Sequence, residues 1–211
     1  MSTGHSKCKI CRRAGEKLFL KGEKCFTPKC VFNKKPYAPG KLDSERKHRS
    51  QLTEYGRQLR EKQKVRNMYG LREEQFSRYV KEATSHAGTN PAEMLYERLE
   101  SRLDNVIFRL GIAASRPLAR QMVSHGHITV NGRRVTIPSY RLKTGDALGV
   151  RDNSKQSKLF IDLGSKLAKQ TYPTWLSFSP DVLKGEMKGA PKMEKSDTMF
   201  DLASVVEFYS R

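Results

Sequence analysis

The sequence predicts an α+β fold that combines a small cysteine knuckle, a helical domain, and a module of two helices packed on an antiparallel sheet. Three observations support this prediction. All four cysteines of the 211-residue chain lie within its first thirty residues. Segments between residues 52 and 126 carry apolar side chains at the period of an α-helix. The pair Asn131 and Gly132 lies between two short β-prone segments, which is typical of a tight hairpin.

The four cysteines predict a structural metal site. Cys8 and Cys11 are separated by two residues, and Cys25 and Cys30 by four. Two close pairs let four sulfurs converge tetrahedrally on one ion, and cytoplasmic thiols stay reduced. We expect one zinc ion per chain with a closed coordination sphere; the alternatives are an iron–sulfur cluster, two disulfides and four unconnected thiols. The many neighbouring lysines and arginines are expected to lower the thiol pKa values.

Residues 1–45 are interpreted as this zinc-binding extension and a linker, because NKKPYAPGKLDSERKHRSQ combines proline, glycine and charge without an apolar period. Residues 46–98 are expected to form a helical domain. LTEYGRQLREKQKVRNMY predicts one helix, which Gly70 ends, and REEQFSRYVKEATSH predicts another. The segment 178–211 is expected to complete this domain, because its terminal ASVVEFYSR is apolar and β-branched and is expected to pack on an earlier part of the chain.

Residues 99–177 are expected to form a module inserted into the helical domain. One continuous helix is predicted over NPAEMLYERLESRLDNVIFRLG, which Asn90 caps and Gly111 closes. SRPLARQMVSHG predicts a second helix with Ser115 as its cap, and HITVNGRRV predicts the hairpin. Beyond this point the pattern weakens: PTWLSFSP predicts a loop or short strand held by Trp175, and GEMKGAPKMEKSD a charged linker.

Composition restricts the class of partner. Lys and Arg number 41 against 22 acidic residues, which gives a net charge of +19. A chain this basic is expected to bind nucleic acid or an anionic membrane. No run approaches the roughly 18 apolar residues of a membrane span, and the opening MSTGHSKCK lacks the apolar segment of a signal peptide. We therefore expect a cytoplasmic protein that binds nucleic acid.

The segment RLDNVIFRLGIAASRPLARQMVSHGHITVNGRRVTIPSYRLKTGD resembles the small RNA-binding module shared by the fourth protein of the small ribosomal subunit, some pseudouridine synthases and some tyrosyl-tRNA synthetases. YGRQLREKQKVRNMYG, PTWL and VVEFYSR resemble the bacterial form of that ribosomal protein family, and the four cysteines resemble its zinc-binding variant. These segments cover most of the chain in the family's order. The resemblance makes 99–177 a ribosomal-type RNA-binding module.

The resemblance implies a structural constituent of the small ribosomal subunit that binds the 5′ domain of its ribosomal RNA at a multi-helix junction and nucleates assembly. It also implies contact with neighbouring small-subunit proteins, especially the fifth, and with messenger RNA where it enters, and an influence on decoding accuracy. After APG the family usually continues with Gln-His-Gly and a dense basic run, whereas this chain has KLDSERKHRSQ. The messenger RNA contact expected there involves Arg46, Lys47 and Arg49.

Arginines at helical spacing are the expected RNA-binding side chains, because a planar guanidinium can bind a phosphate through two hydrogen bonds and folded RNA presents phosphates and shape. Arg102 and Arg109 recur on one side of their helix and are expected to face solvent, and Arg116 and Arg120 to face outward together. The full expected set is Arg102, Arg109, Arg116, Arg120, Gln121, His125, His127, Asn131, Arg133 and Arg134, with Arg57, Arg60, Lys62, Lys64 and Arg66 of the earlier helix.

Other interpretations of the same residues remain. A charged face that only contacts water is the alternative for each arginine, and a metal pair is the alternative for His125 and His127. No pattern predicts an enzyme, because the chain has no phosphate-binding glycine loop and no nucleophile paired with a base. An RNA-modifying enzyme would need a catalytic domain for which no residues remain. A DNA-binding protein is distinguished by comparing affinities for structured RNA and duplex DNA.

Overall fold

A computed structural model describes residues 4–40, 52–86, 88–157, 159–161, 163–167, 170–179, 182–193 and 200–210. Arg46, Lys47 and Arg49 lie outside the described residues, so the expected contact with messenger RNA stays a prediction. The chain divides into two units, one of residues 1–92 with 196–211 and one of residues 93–195. None of the helices in the described ranges is both long and apolar enough to cross a membrane.

In the described residues before Ala92, the first unit consists of helices and their connections. They are α1 (Gly4–Ala14), a 3₁₀ turn (Gly22–Cys25), α2 (Val31–Lys34), α3 (Glu54–Tyr69) and α4 (Glu73–Ser85). Thr53 caps α3 by accepting a hydrogen bond from the Gly56 N–H at 3.2 Å, and Gly70 ends it in the left-handed conformation. The two helices predicted for this region are confirmed, with α3 beginning two residues later than Leu52.

The long helix predicted from Asn90 to Gly111 is wrong, because the chain forms two helices there. They are α5 (Pro91–Glu100) and α6 (Leu103–Arg109). Arg102 between them is extended, with φ −69° and ψ 137°, and forms a bridge with Arg141. The N–H of Leu103 donates to the Tyr140 carbonyl at 2.9 Å, and the Leu142 N–H donates to the Ser101 carbonyl at 2.9 Å. A segment about forty residues away therefore supplies the hydrogen bonds that the interrupted helix lacks.

The second unit continues with short elements. They are α7 (Arg116–Ser124), β1 (Ile128–Val130), β2 (Arg133–Arg134), β3 (Ala147–Val150), α8 (Asp152–Lys155), α9 (Leu163–Leu167), β4 (Leu176–Ser179) and β5 (Lys184–Met187). The strands form an antiparallel sheet in the order β2-β1-β3-β5-β4. Asn131 and Gly132 both have positive φ, 49° and 77°, which confirms the predicted tight turn.

The linker predicted at GEMKGAPKMEKSD is wrong at its start, because β5 pairs there with both β3 and β4. Gly185 and Met187 alternate inward, and this period of two was obscured by the charges between them. Buried Trp175 precedes β4, so the short strand predicted for PTWLSFSP is confirmed. The sheet and the helices α6 and α7 enclose one apolar core, whose members include Leu103, Val106, Ile107, Leu110, Met122, Val123, Ile128, Val130, Leu148, Val150, Trp175, Leu176 and Met187.

A last helix, α10 (Leu202–Tyr209), packs on α3 in the first unit. Asp201 caps it by accepting hydrogen bonds from the N–H groups of Ala203 and Ser204. The ring of Phe208 lies 5.5 Å from that of Tyr55. The terminal segment therefore packs on an earlier helix, as its apolar composition predicted. In this structure β4 and β5 belong to the second unit, and residues 196–211 belong to the first.

Candidate nucleic-acid interface

Two buried carboxylates organise the arginines of the second unit. Glu100 ends α5 and is fully buried, and Asp104 lies in the first turn of α6 with 3% of its surface exposed. A buried carboxylate is stable only when charged partners and hydrogen bonds compensate its loss of water. The arginine–carboxylate cluster consists of Glu100, Asp104, Arg102, Arg109, Arg116 and Arg120.

Glu100 binds the guanidinium of Arg109 through both of its oxygens. The Nε of Arg109 lies 2.8 Å from Oε2, and its Nη2 lies 3.0 Å from Oε1. The side-chain amide of Asn105 also donates to Oε2, at 2.8 Å, and accepts from Arg116 Nε at 2.7 Å. The Arg116 guanidinium lies over the ring of Phe108, 4.4 Å from its centroid. These contacts fix the orientation of both arginines.

Asp104 binds the other two arginines of the cluster. The Nε and Nη2 of Arg102 lie 3.0 and 2.8 Å from its two oxygens, and the Nε and Nη2 of Arg120 lie 2.9 and 2.7 Å from Oδ2. The expectation that Arg102 faces solvent is wrong, because the helix break turns it inward and leaves it 3% exposed. The two carboxylates neutralise two of the four guanidinium charges, so the arginine–carboxylate cluster stays positive.

A second group of polar side chains surrounds the hairpin. Arg133 and Arg134 are exposed on β2, and Gln121 and His125 are exposed at the end of α7. The Nη2 of Arg134 donates to the His125 carbonyl at 3.3 Å, where the negative end of the helix dipole favours a cation. Gly126, with φ 75°, allows this contact because a Cβ there would overlap the Arg134 guanidinium. The glycine that ends α7 thus also positions an arginine.

Two further members of the expected set, His127 and Asn131, are also bonded within the protein. His127 Nδ1 lies 3.0 Å from Ser154 Oγ. The Asn131 amide nitrogen donates to Asp146 Oδ1 at 2.8 Å, and its oxygen accepts from the Ala147 N–H at 2.8 Å. Asn131 therefore joins the hairpin turn to the start of β3. RNA contacts by both residues stay predictions.

The cations of α3 divide into two groups. Lys62 and Lys64 are buried, and their ammonium groups lie 2.6 Å from Glu73 Oε1 and 2.7 Å from Glu16 Oε2. Both lysines were expected to bind RNA, but they are buried against Glu73, Glu16 and Glu61, so an RNA contact by either one stays a prediction. The members that keep exposed surface are Arg57, Arg60 and Arg66.

The four cysteines line one small pocket in the first unit, together with Leu20 and other neighbours. All four are free thiols, so the alternative of two disulfides is not what the structure contains. The Lys21 N–H donates to Cys25 Sγ at 3.4 Å. Even so, no group of three or more His, Cys, Asp or Glu residues within the described ranges could hold a metal ion. The four thiols are of the type that zinc binds, and they share one pocket. The described residues nevertheless do not form a metal site in this structure.

Burial raises the pKa of the Cys11 thiol, the Leu18 backbone hydrogen bond lowers it, and the other three cysteines raise it further. The net shift of the Cys11 pKa is upward, so the expectation that neighbouring cations lower it is wrong for this thiol.

The sequence interpretation missed Glu100 and Asp104. A signal was present, because two acidic residues one helical turn apart lie among four arginines at helical spacing. Such charges are usually assigned to the solvent-facing side of a helix, and the break at Arg102 is what buries them.

Comparisons with known proteins agree along the whole chain. The ribosomal protein S4/S9 N-terminal domain matches residues 3–100, and the S4 domain matches residues 101–148. The small ribosomal subunit protein uS4 of Pelotomaculum thermopropionicum is 48% identical over 206 residues, which cover 98% of this chain and 97% of the relative. Those of Ruminiclostridium cellulolyticum and Heliobacterium modesticaldum are 48% and 46% identical over 204 residues, covering 97% of this chain and 96% of each relative. With near-complete coverage at this identity, the chain belongs to the family of small ribosomal subunit protein uS4.

Proposed function

We propose that the chain is a structural constituent of the small ribosomal subunit and binds ribosomal RNA through its second unit. The family has a structural and non-enzymatic role in the ribosomes of the cytoplasm. The observation that carries the proposal is the arginine–carboxylate cluster, whose Arg116 and Arg120 lie on α7, the same helix whose C-terminal end binds Arg134 of the hairpin. Fixed cations on one unit suit a partner whose phosphates are fixed in space.

The proposed RNA face has a physical advantage over a set of mobile side chains. Ordering a free arginine costs up to about 2 kcal/mol of side-chain entropy. Glu100 and Asp104 impose this order before RNA binds, because each accepts two hydrogen bonds from a guanidinium. Arg102, being buried, acts as a support for Asp104, while Arg109, Arg116 and Arg120 contact the RNA. Gln121 and His125 extend the same face.

The detailed role follows from the resemblance. The protein binds the 5′ domain of small-subunit RNA at a multi-helix junction, nucleates assembly, contacts the fifth small-subunit protein, and influences decoding accuracy. Arg46, Lys47 and Arg49 contact messenger RNA where it enters. Residues 1–45 form a zinc-binding extension and linker, residues 46–92 with 196–211 a helical domain, and residues 93–195 the RNA-binding module.

The salt dependence of RNA binding tests the proposed face. Removing one phosphate-binding cation lowers the slope of log affinity against log salt by about 0.9 for a duplex and about 0.7 for a single strand. The double variant Arg133→Ala/Arg134→Ala is expected to flatten the slope for a transcript of the 5′ domain by roughly 1.4 to 1.8. Arg78→Ala, an exposed arginine of α4 outside the proposed set, is the control. An unchanged slope in the double variant, or equal affinity for duplex DNA, would contradict the proposal.

We also propose that Cys8, Cys11, Cys25 and Cys30 bind one zinc ion. Two close pairs, free thiols and one shared pocket support this assignment. When bound, zinc supplies four bonds that cross-link a segment whose described apolar cluster has Cys11, Leu18 and Leu20 as its buried members. Elemental analysis of the reduced protein is expected to give about one zinc per chain and much less in Cys25→Ser. Iron together with sulfide would indicate an iron–sulfur cluster in place of zinc, and a protein that contains neither metal would refute the site.

A further inference from the structure

Two aromatic rings stack on the surface of the first unit. The rings of Phe19 and Phe26 have centroids 4.8 Å apart and planes inclined by 23°. Phe26 is 74% exposed, the highest value among the large apolar side chains that the structure describes. A large ring in water is unfavourable by roughly 25 cal/mol for each Å² of apolar surface left unburied. This exposed pair therefore requires an explanation.

The backbone holds Phe19 in its outward position. Its φ of 50° lies in the left-handed region, which is unfavourable for a residue with a large side chain. Leu18 and Leu20 on either side are both buried in the small cluster with Cys11. The left-handed residue between them allows both leucines to enter this cluster, and the intervening ring remains partly exposed beside Phe26.

Local hydrogen bonds hold Phe26 in the same way. It follows the 3₁₀ turn Gly22–Cys25, and its N–H donates to the Glu23 carbonyl at 3.0 Å. The Thr27 hydroxyl donates to the Lys24 carbonyl at 3.1 Å. Both rings are thus positioned by backbone geometry, so a ligand that stacks on them does not need to order them first.

The charge around the rings indicates the class of ligand. Between Lys17 and Cys30 the chain carries four lysines and one acidic residue, Glu23. Lys24 and Lys29 are exposed on either side of Phe26 in sequence. An exposed ring in a lysine-rich segment suits a planar base attached to phosphates, because every nucleobase presents a face that stacks on an aromatic ring. An apolar protein segment would leave these lysines without anionic partners.

We propose that Phe19 and Phe26 form a stacking platform for an unpaired base of ribosomal RNA, and that the neighbouring lysines bind the flanking phosphates. This inference rests on the proposed RNA-binding function and adds a contact in the first unit. Phe26 supplies the exposed ring and Phe19 supports it from one side. Lys24 and Lys29 supply the electrostatic part of the contact.

Substitutions at Phe26 in the full-length protein test this platform. Phe26→Ala removes the stacking contact between the base and the ring. The variant is therefore expected to bind a transcript of the 5′ domain about five- to a hundredfold more weakly. The salt slope is expected to stay unchanged, because no charge is removed. Lys24→Ala removes a charge but keeps the ring, so it is expected to flatten the salt slope by up to about one. The two variants therefore separate stacking from charge.

Matched variants distinguish stacking from simple apolar contact. Phe26→Tyr keeps the aromatic face and is expected to bind like the wild type, whereas Phe26→Leu keeps apolar surface and is expected to bind as weakly as Phe26→Ala. Because Phe26 is mostly exposed, its substitution is not expected to change metal content or the midpoint of thermal unfolding, which controls for misfolding.

The outcomes separate this inference from the proposed function. If the wild type fails to bind the transcript, the proposed function itself is refuted. If the wild type binds and Phe26→Ala binds equally well, the platform is refuted and the function stands. If Phe26→Leu binds like the wild type, or if Phe26→Ala binds RNA normally but fails to enter the assembled subunit, the occupant is an apolar protein surface and the stacking assignment is refuted.

Discussion

At Glu100 one fully buried negative charge is bonded to Arg109 and Asn105, and Arg116 lies 4.0 Å away. Burying a carboxylate is unfavourable by several kcal/mol unless such partners are in place. The charge therefore has two effects of opposite sign on RNA binding. It repels phosphate through space, and it holds the arginines for which we propose phosphate binding.

Glu100→Gln separates the two effects. The substitution removes a negative charge, so long-range attraction to RNA alone would strengthen binding. We expect weaker binding instead, together with a loss of about 3 kcal/mol in the free energy of unfolding, because Arg109 loses its ionic partner. Equilibrium binding to the 5′-domain transcript, below the unfolding transition, measures the first effect, and urea unfolding measures the second.

Glu97→Gln is the control for this prediction. Glu97 lies one turn earlier on α5 and pairs with Arg141 at 2.8 Å, with both side chains partly exposed. The change in net charge is the same, but no buried arginine loses its partner. Stronger RNA binding by both variants would show that Glu100 does not position the RNA face.

Gly126→Ala is expected to displace Arg134, because the added Cβ would occupy the space of its guanidinium. Gly132→Ala provides a matched comparison, since its φ of 77° nearly equals the 75° of Gly126 and no atom lies within 4 Å of the added Cβ. Both variants should lose about 1 kcal/mol of folding free energy from the left-handed backbone. Only Gly126→Ala should also weaken RNA binding, by the contribution of one phosphate contact. Equal RNA affinities for the two variants would argue against a role for Arg134.

Among the elements, α3, α4 and α10 meet at Glu73. Its carboxylate lies 2.6 Å from Lys62 Nζ, accepts a hydrogen bond from the Tyr209 hydroxyl at 2.6 Å, and lies 3.4 Å from Arg66 Nη1. Burial alone would raise the pKa of Glu73, but the hydrogen bonds from Lys62 and Tyr209 hold it below its ordinary value of 4.5. Burial and the same carboxylate raise the pKa of Tyr209. The terminal helix is thus tied to α4 by a bond that depends on ionisation.

A lowered pKa in the folded state means that Glu73 stabilises the fold above its unfolded-state pKa, and that this stabilisation is lost as pH falls through the folded-state pKa. Glu73→Gln is expected to reduce the free energy of unfolding at pH 7 by up to about 1 kcal/mol, a modest value because 43% of the side chain is exposed and solvent screens the pair. The variant should also lose less stability than the wild type between about pH 5 and pH 3. Urea unfolding across this pH range measures both the stability at pH 7 and its loss at low pH, with the exposed Glu74→Gln as the control. Parallel curves of unfolding free energy against pH for Glu73→Gln and the wild type would show that ionised Glu73 does not stabilise the fold.

At the scale of the whole molecule, the second unit and the cysteine segment of the first unit differ in the size of their apolar cores. Among the described residues, the core of the second unit contains twenty buried apolar residues. The buried cluster of the cysteine segment contains three within the same ranges. A cluster this small does not offset the conformational entropy of the roughly forty residues around it, whereas the larger core is typical of an independently stable module.

If the proposed zinc ion is bound, its removal is therefore expected to affect one part of the chain. After treatment with a zinc chelator under reducing conditions, backbone amides of residues 4–40 should exchange hydrogen much faster, and those of α6, α7 and the sheet should keep their protection. Hydrogen exchange followed by mass spectrometry measures both regions in one sample. Equal loss of protection in the core around Ile107 and Val123 would show that the metal stabilises the whole chain.

Features that depend on neighbours within a few residues were predictable. The glycine that ends α3, the cap at Ser115 and the hairpin turn at Asn131 all follow from a hydrogen bond or a backbone angle defined over two to five residues. The identities of the cysteines and of the basic side chains also follow from the sequence. These local rules therefore recovered the approximate bounds of α3, α4 and α7 and the composition of the proposed RNA face.

Features that depend on distant partners were not predictable from local patterns. The break before α6 is compensated by the carbonyl of Tyr140, and β5 forms a strand because β3 and β4 lie on its two sides. Arg102 is buried for the same reason, since its partner Asp104 turns inward with the break. Helical spacing assigns a charge to a side of a helix, but it cannot tell whether another part of the chain covers that side. The chain's own sequence thus specified which residues are available for RNA and metal, and the tertiary contacts selected which arginines reach solvent and which ones support them.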